Sequence, residues 1–152
     1  MKRPRLKLAK TIYYRYTLDC GDLLYVGVTA SPIKRFTEHN LGIGSYITRL
    51  HPPRAVVKVE KLGYMTYFQA TRHENILVLR YLASGKNCRG GSWSGYKAPT
   101  PSVVKNRLSN LHDISSDTFP VVSINFQFTR TKPTPRTGKK IVYLKHKRRH
   151  AK

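Results

Sequence analysis

Apolar and aromatic residues fall into short segments separated by turn-forming residues, and the spacing within each segment predicts its conformation. Residues 11–18, Thr-Ile-Tyr-Tyr-Arg-Tyr-Thr-Leu, are β-branched and aromatic; Asp19-Cys20-Gly21-Asp22 supplies turn chemistry, and Leu23-Leu24-Tyr25-Val26-Gly27-Val28 is a second run of the same kind. Two such runs around a Gly/Asp turn predict a β-hairpin. Ser31-Pro32 predicts a helix start, with serine accepting from the unpaired backbone N–H groups and proline at the first helical position. Gly42 predicts the stop, so this helix spans about 32–41. Residues 54–61 read as a third strand and 67–83 as a second helix, with Ala70, Glu74, Leu77 and Tyr81 along one face and Gly85 closing it. The order β-β-α-β-α predicts a small mixed α/β domain, its three-stranded antiparallel sheet flanked by helices.

Outside that core the patterning weakens and charge takes over. Residues 1–10 carry Lys2, Arg3, Arg5, Lys7 and Lys10 with no acid, the mark of a basic arm. After the glycine-rich Cys88-Arg89-Gly90-Gly91-Ser92-Trp93-Ser94-Gly95, the extension 96–152 predicts a short helix at 101–111 and a strand over 121–129, then ends in a strongly basic run with no acid beyond Asp117. The expected division is therefore an arm at 1–10, a folded domain at 11–95 and a basic extension at 96–152. The chain has 29 Lys and Arg against 7 Asp and Glu, a net charge of +22. Such a surface seeks polyanions, and nucleic acid adds the release of condensed counterions to the attraction.

No apolar run approaches the about 20 residues of a spanning helix, and Met1-Lys2-Arg3-Pro4-Arg5 is not followed by the apolar stretch of a secretory signal. The expected setting is intracellular, whether cytosolic, nuclear or organellar, with no membrane partner. Cys20 and Cys88 have no second cysteine or close histidine at zinc-type spacing, so both are expected to be reduced and non-ligating.

Several motifs occur in one order. Tyr25-Val26-Gly27 lies on the second strand, behind a tyrosine-rich first strand. Arg35-Phe36 and His39 follow on the first helix, then Gly42-Ile43-Gly44 and Thr48-Arg49, then Glu74 on the second helix, then Asn87-Cys88-Arg89-Gly90-Gly91-Ser92-Trp93. Together they resemble the GIY-YIG endonuclease family, in particular a branch with a C-terminal Asn-x-Arg-Gly-Gly-Ser-aromatic motif. The resemblance implies a nuclease fold with site residues Tyr14, Tyr25, Arg35, His39, Glu74 and Asn87, and Glu74 as the ligand of Mg²⁺ or another divalent cation. Tyr14 precedes Tyr25 by the family's usual ten intervening residues. Tyr13 also fits that gap, and Tyr16 is a third choice.

These residue types suit phosphodiester hydrolysis, which needs a deprotonated water, neutralisation of charge at phosphorus and help for the departing oxygen. A tyrosine can relay the water's proton, aided by His39. Arg35 can clamp the phosphate with its planar fork. Glu74 can hold a magnesium ion that keeps most of its hydration. Each residue also has a plainer reading: strand tyrosines pack half-buried faces, Arg35 and His39 form an exposed helix face, Glu74 pairs with Arg35, and Asn87 ends a helix. The resulting expectation is a metal-dependent endonuclease acting on nucleic acid, with DNA favoured over RNA. The competing expectation is a catalytically silent nucleic-acid-binding protein, such as a ribosome-associated or nucleoprotein component, that keeps the fold.

Overall fold

The computed structural model describes residues 9–94, 97–110 and 118–133. Most of the N-terminal arm and the basic C-terminal run lie outside these residues. The hairpin forms as expected from β1 (Lys10–Asp19) and β2 (Leu24–Thr29). Its turn is closed by Cys20 N–H donating to Leu23 O at 2.9 Å and Gly21 N–H to the Asp19 carboxylate at 2.9 Å, with Gly21 at φ 83°. A turn centred there sets Tyr16 opposite Gly27 and Leu18 opposite Tyr25.

The first helix, α1 (Pro32–Leu41), has proline in its first turn and ends at Gly42, whose φ of 79° is the left-handed conformation that glycine adopts without penalty. Ser31 differs from expectation. Its side chain caps nothing, and its carbonyl accepts from Arg35 N–H at 3.0 Å. The glycine-rich stretch that follows is not all loop, because Ser45 Oγ accepts from Thr48 N–H at 3.1 Å and caps a one-turn helix, α2 (Tyr46–Leu50).

β3 (Ala55–Thr66) pairs antiparallel with β1 and runs past the expected end. Gly63, at φ 102°, sits at a register shift where Tyr13 faces Gly63 and Tyr14 faces Lys61, so a bulge absorbs the glycine and pairing continues. Thr66 and Gln69 form a capping box at the head of α3 (Tyr67–Ala83), and Gly85 follows its end at φ 86°.

The sheet has four strands, not three. β4 (Cys88–Gly90) pairs parallel with Leu24, Tyr25 and Val26, giving the order β3-β1-β2-β4. Three residues are too few to show a period. The fit depends on backbone approach, since a Cβ on Gly90 would collide with the carbonyl of Val26.

The sheet is covered on both faces. Tyr16, Leu18, Tyr25, Phe36, Ile47 and Val59 fill one layer beneath α1 and α2, while Val26, Leu77, Val78 and Cys88 fill the other beneath α3. On the α3 side Arg15 and Glu60 make a bidentate pair at 3.0 Å for each contact, and Arg15 also donates to His73 O at 2.9 Å. Both cysteines are buried and free, with burial pushing each thiol up to about 12.

The helix expected at 101–111 is present as α4 (Pro101–Ser109), packed on α3. The strand expected over 121–129 is not. Val122 N–H donates to Val59 O at 2.7 Å and Lys61 N–H to Pro120 O at 2.9 Å, after which the ladder stops. The alternating apolar residues Val122, Ile124, Phe126 and Phe128 pack instead onto the first core layer, with Phe126 5.6 Å from the ring of Phe36. Asn40 Oδ1 then holds this segment by accepting from Thr129 and Arg130 N–H at 2.9 and 3.1 Å.

Candidate active site

The hairpin register decides which tyrosine reaches α1. Tyr16 lies across from Gly27, where a Cβ would collide with its phenol, so the ring lies over the bare glycine and turns toward the helix. Its oxygen is 2.7 Å from Nε2 of His39 and accepts from Arg35 Nε at 3.4 Å. Tyr14, two residues earlier on the same face, packs at the edge of the core and faces Thr29. Among the three first-strand tyrosines considered, the geometry therefore brings Tyr16, not Tyr14 or Tyr13, into this cluster. Tyr13 instead packs against Tyr67, with 6.2 Å between the rings.

Arg35 and His39 do converge, being one turn apart on α1. His39 is fully buried, with its Nδ1 2.8 Å from Thr48 Oγ1, which is in turn 2.9 Å from Ser45 Oγ. Here too a glycine makes room: a Cβ on Gly44 would strike the imidazole. Tyr25 lies beside the same ring, with centroids 5.1 Å apart, and shares a hydrogen bond with the Ser45 side chain. The hydroxyls of α2's capping turn thus connect the two tyrosines through His39.

Burial dominates the electrostatics. It pushes the Tyr16 phenol well above its usual range, reinforced by Tyr25 and opposed by Arg35, and raises Tyr25 as well, reinforced by Glu74. It drives His39 down to about 3, with Arg35 and Arg130 adding repulsion. His39 is therefore a neutral imidazole at neutral pH, with one ring nitrogen free to accept. Burial alone would lower Arg35, but Tyr16, Tyr25 and Glu38 raise it, and it remains a permanent cation.

Glu74 on α3 is 8% exposed. Burial pushes its carboxyl up to about 7, while backbone N–H groups at Val28 and Gly91 and the charge of Arg35 pull the other way. No ion pair with Arg35 forms; the partner of Arg35 is Glu38, at 3.3 Å. Gly91 lies so close to Glu74 and Asn75 that a side chain there would clash. The next residue along α3, Asn75, holds this turn by accepting from Ser92 N–H at 2.9 Å and donating to Ser92 Oγ at 3.2 Å.

Asn87 is not part of the cluster. Its carbonyl accepts from Leu24 N–H at 2.9 Å and its side chain accepts from Arg89 at 2.7 Å and donates to Asp22 O at 3.4 Å, all near the hairpin turn. Thr48 stands in the sequence only as part of the Thr-Arg landmark, and Ser45, Asn75 and Arg130, whose guanidinium donates to Thr48 O, carry no expected site role. The signal available for Asn75 was its position beside Glu74.

Among the described residues no group of three His, Cys, Asp or Glu side chains gathers to hold a metal, and the carboxylate that the cluster offers one is Glu74. The fit is nevertheless good for a hard, hydrated cation. Glu74 is an inward-facing carboxylate whose charged form is disfavoured by burial, and a divalent ion retaining its waters needs few protein oxygens.

This mixed α/β fold, with the cluster on its hairpin and first helix, is that of a GIY-YIG-type catalytic domain. The sequence profile of the GIY-YIG catalytic domain matches residues 10–87, just over half of the 152-residue chain. The chain belongs to the GIY-YIG family. It is similar to a UPF0213 protein of Enterococcus faecalis, 39% identical over 66 residues, which are 43% of this chain and 75% of that protein. It is also similar to UPF0213 protein H16_B0156 of Cupriavidus necator, 40% identical over 50 residues, 32% of this chain and 54% of that one. No solved structure gives a significant match.

Proposed function

We propose that this protein is a metal-dependent endonuclease that hydrolyses phosphodiester bonds in nucleic acid, with DNA the favoured substrate. The observation that carries this reading is the convergence of Tyr16, His39 and Arg35 on one phenol oxygen, beside the buried carboxylate of Glu74.

Because burial opposes a phenolate, Tyr16 acts as a relay and not as a standing base. Thr48 Oγ1 donates to Ser45 O at 3.4 Å and so is placed to accept from His39 Nδ1–H; in that tautomer the Nε2 lone pair faces the Tyr16 hydroxyl. As water attacks phosphorus, its proton passes to the Tyr16 oxygen while the Tyr16 proton passes to Nε2. Arg35 binds a nonbridging phosphate oxygen, and the bound phosphate offsets one of the cations that hold His39 low. Glu74 would hold a divalent ion, which when bound would supply neutralisation of the leaving oxygen's charge. The excess of Lys and Arg draws the polyanion to the surface without selecting a sequence.

The test is incubation of the full chain with supercoiled plasmid and with structured RNA in Mg²⁺, alongside Arg35→Ala and Glu74→Ala. Plasmid cleavage by the parent and its loss in both variants are expected. If the parent cuts neither substrate with several divalent ions, yet binds both with a steep salt dependence, the silent binding-protein reading replaces this one.

A further inference from the structure

Behind the turn that presses Gly91 against Glu74 is a cleft of about 350 Å³ between α3 and α4, lined in part by Phe68, Arg72, Asn75, Ser92, Trp93 and Arg107. None of the described lining residues is acidic. Phe68 is 55% exposed, and the Arg107 guanidinium lies over the Trp93 ring at 6.0 Å. Arg107 comes from α4, beyond the residues 10–87 that match the GIY-YIG catalytic domain. α4 therefore closes, from beyond the matched region, a cleft whose α3 wall lies within it.

We propose that this cleft receives an unpaired nucleotide of the bound strand, its base against Trp93 and Phe68 and its phosphate toward Arg72 and Arg107. The proposal rests on the nucleic-acid-cleaving reading for its substrate, and it names what that substrate must contain. Aromatic faces take any base by stacking, and guanidinium groups take both the base face and the phosphate. An amide and a hydroxyl, from Asn75 and Ser92, offer hydrogen bonds to a base edge. A base stacked and paired inside a duplex cannot present its face to an indole, so a continuous duplex cannot fill the cleft without extruding a nucleotide. A single-stranded end, flap or loop can. Position adds to chemistry: Asn75 lines the cleft and adjoins Glu74, and the Ser92 it holds follows the glycine that touches the carboxylate. An unpaired nucleotide in the cleft would therefore lie next to the scissile phosphate. The preferred substrate is a strand with an unpaired nucleotide flanking the cut, whether DNA or RNA.

Trp93 is the chain's single tryptophan, so its fluorescence reports this cleft alone. The full-length protein in EDTA is titrated with single-stranded DNA, single-stranded RNA, and a blunt DNA duplex of equal length. Binding is followed by anisotropy of a labelled strand and by Trp93 emission. Saturable quenching by the single strands, with the duplex bound but not quenching, is expected. Phe68→Ala and Arg107→Ala, both at exposed positions, should weaken single-strand binding about tenfold, the size of one lost base stack, and leave duplex binding unchanged. Single strands bound without a change in Trp93 emission, or variants that weaken strand and duplex equally, would overturn the proposal. Because the titration needs no metal, failure to cut DNA or RNA in Mg²⁺ removes the nuclease reading and leaves this result standing. Cleavage without quenching does the reverse.

Discussion

The phenol oxygen of Tyr16 lies 2.7 Å from Nε2 of His39, a buried contact between the central strand and the first helix. Tyr14 lies on the same strand face and makes no such contact with the histidine. Tyr16→Phe keeps the ring's packing and removes only the oxygen. Its single-turnover cleavage rate is expected to fall about 10²–10⁴-fold, the usual worth of a positioned proton-transfer group. Tyr14→Phe is expected to cut at the parent rate, and the reverse ranking in the same plasmid assay would sink the Tyr16 assignment.

Thr48 Oγ1 is 2.8 Å from Nδ1 of His39, a contact that favours the proton on Nδ1 and a free lone pair on the Nε2 that faces Tyr16. Thr48→Val keeps shape and loses the hydroxyl, leaving Nδ1 buried without its partner. The expected result is a kcat about tenfold to a hundredfold lower, part of the full general-base contribution, with KM for an oligonucleotide little changed. Thr48→Ser should restore the rate. A matching loss of oligonucleotide affinity and unfolding midpoint, with no rescue by serine, would indicate that Thr48 only supports the fold.

The hairpin, both main helices and their glycine stops were legible in the sequence because each repeats a local rule many times over. The tyrosine was harder. The tally of residues between motifs favours Tyr14, whereas a turn centred at Gly21 and Asp22 pairs Tyr16 with Gly27. Register, not spacing, selects the ring with room to lie over a glycine. Ser45 and Thr48 were hidden because they act through a five-residue helix too short to show a period. β4 was hidden for the same reason. Asn87 misled because the residues around it do approach Glu74, but through the backbone of Gly91, while the Asn87 side chain turns toward Asp22.

Glu74 gives a pH signature. In the metal-free fold burial raises its carboxyl from 4.5 to about 7, so the native state keeps a proton that the unfolded chain has already released between those values. The sign follows: this destabilising contribution is absent below pH 4.5, grows as pH rises and is complete above about 7, where it reaches about 3 kcal/mol. In EDTA, Glu74→Gln should therefore gain on the parent by roughly that amount between pH 5 and pH 8, read from urea unfolding. Mg²⁺ at pH 8 should stabilise the parent and leave the variant unmoved. A stability difference that stays constant across this range would contradict the buried, proton-holding state of Glu74.

On the α3 face of the sheet, Arg15 and Glu60 are 1% and 4% exposed and joined by two contacts of 3.0 Å, with Phe119 5.3 Å from the guanidinium. The pair ties the central strand to its neighbour, and the further bond to His73 O ties both to α3. α3 carries Glu74 one residue later, so this anchor also fixes where the carboxylate enters the site. Lys58 is 3.7 Å from Glu60 but sits near the surface, where an ion pair contributes little. Truncating Glu60 removes both of its contacts to the buried Arg15 guanidinium, and breaking a buried pair of this kind costs about 3–5 kcal/mol. Glu60→Ala should lose that much in denaturant unfolding, whereas Lys58→Ala should lose under about 1 kcal/mol. The two acids also separate by condition. Glu60→Ala should remain destabilised with or without Mg²⁺, because its partner is an arginine inside the protein, while the effect of Glu74→Gln should depend on the ion. Equal small losses for Glu60→Ala and Lys58→Ala would show that the buried pair does not anchor α3.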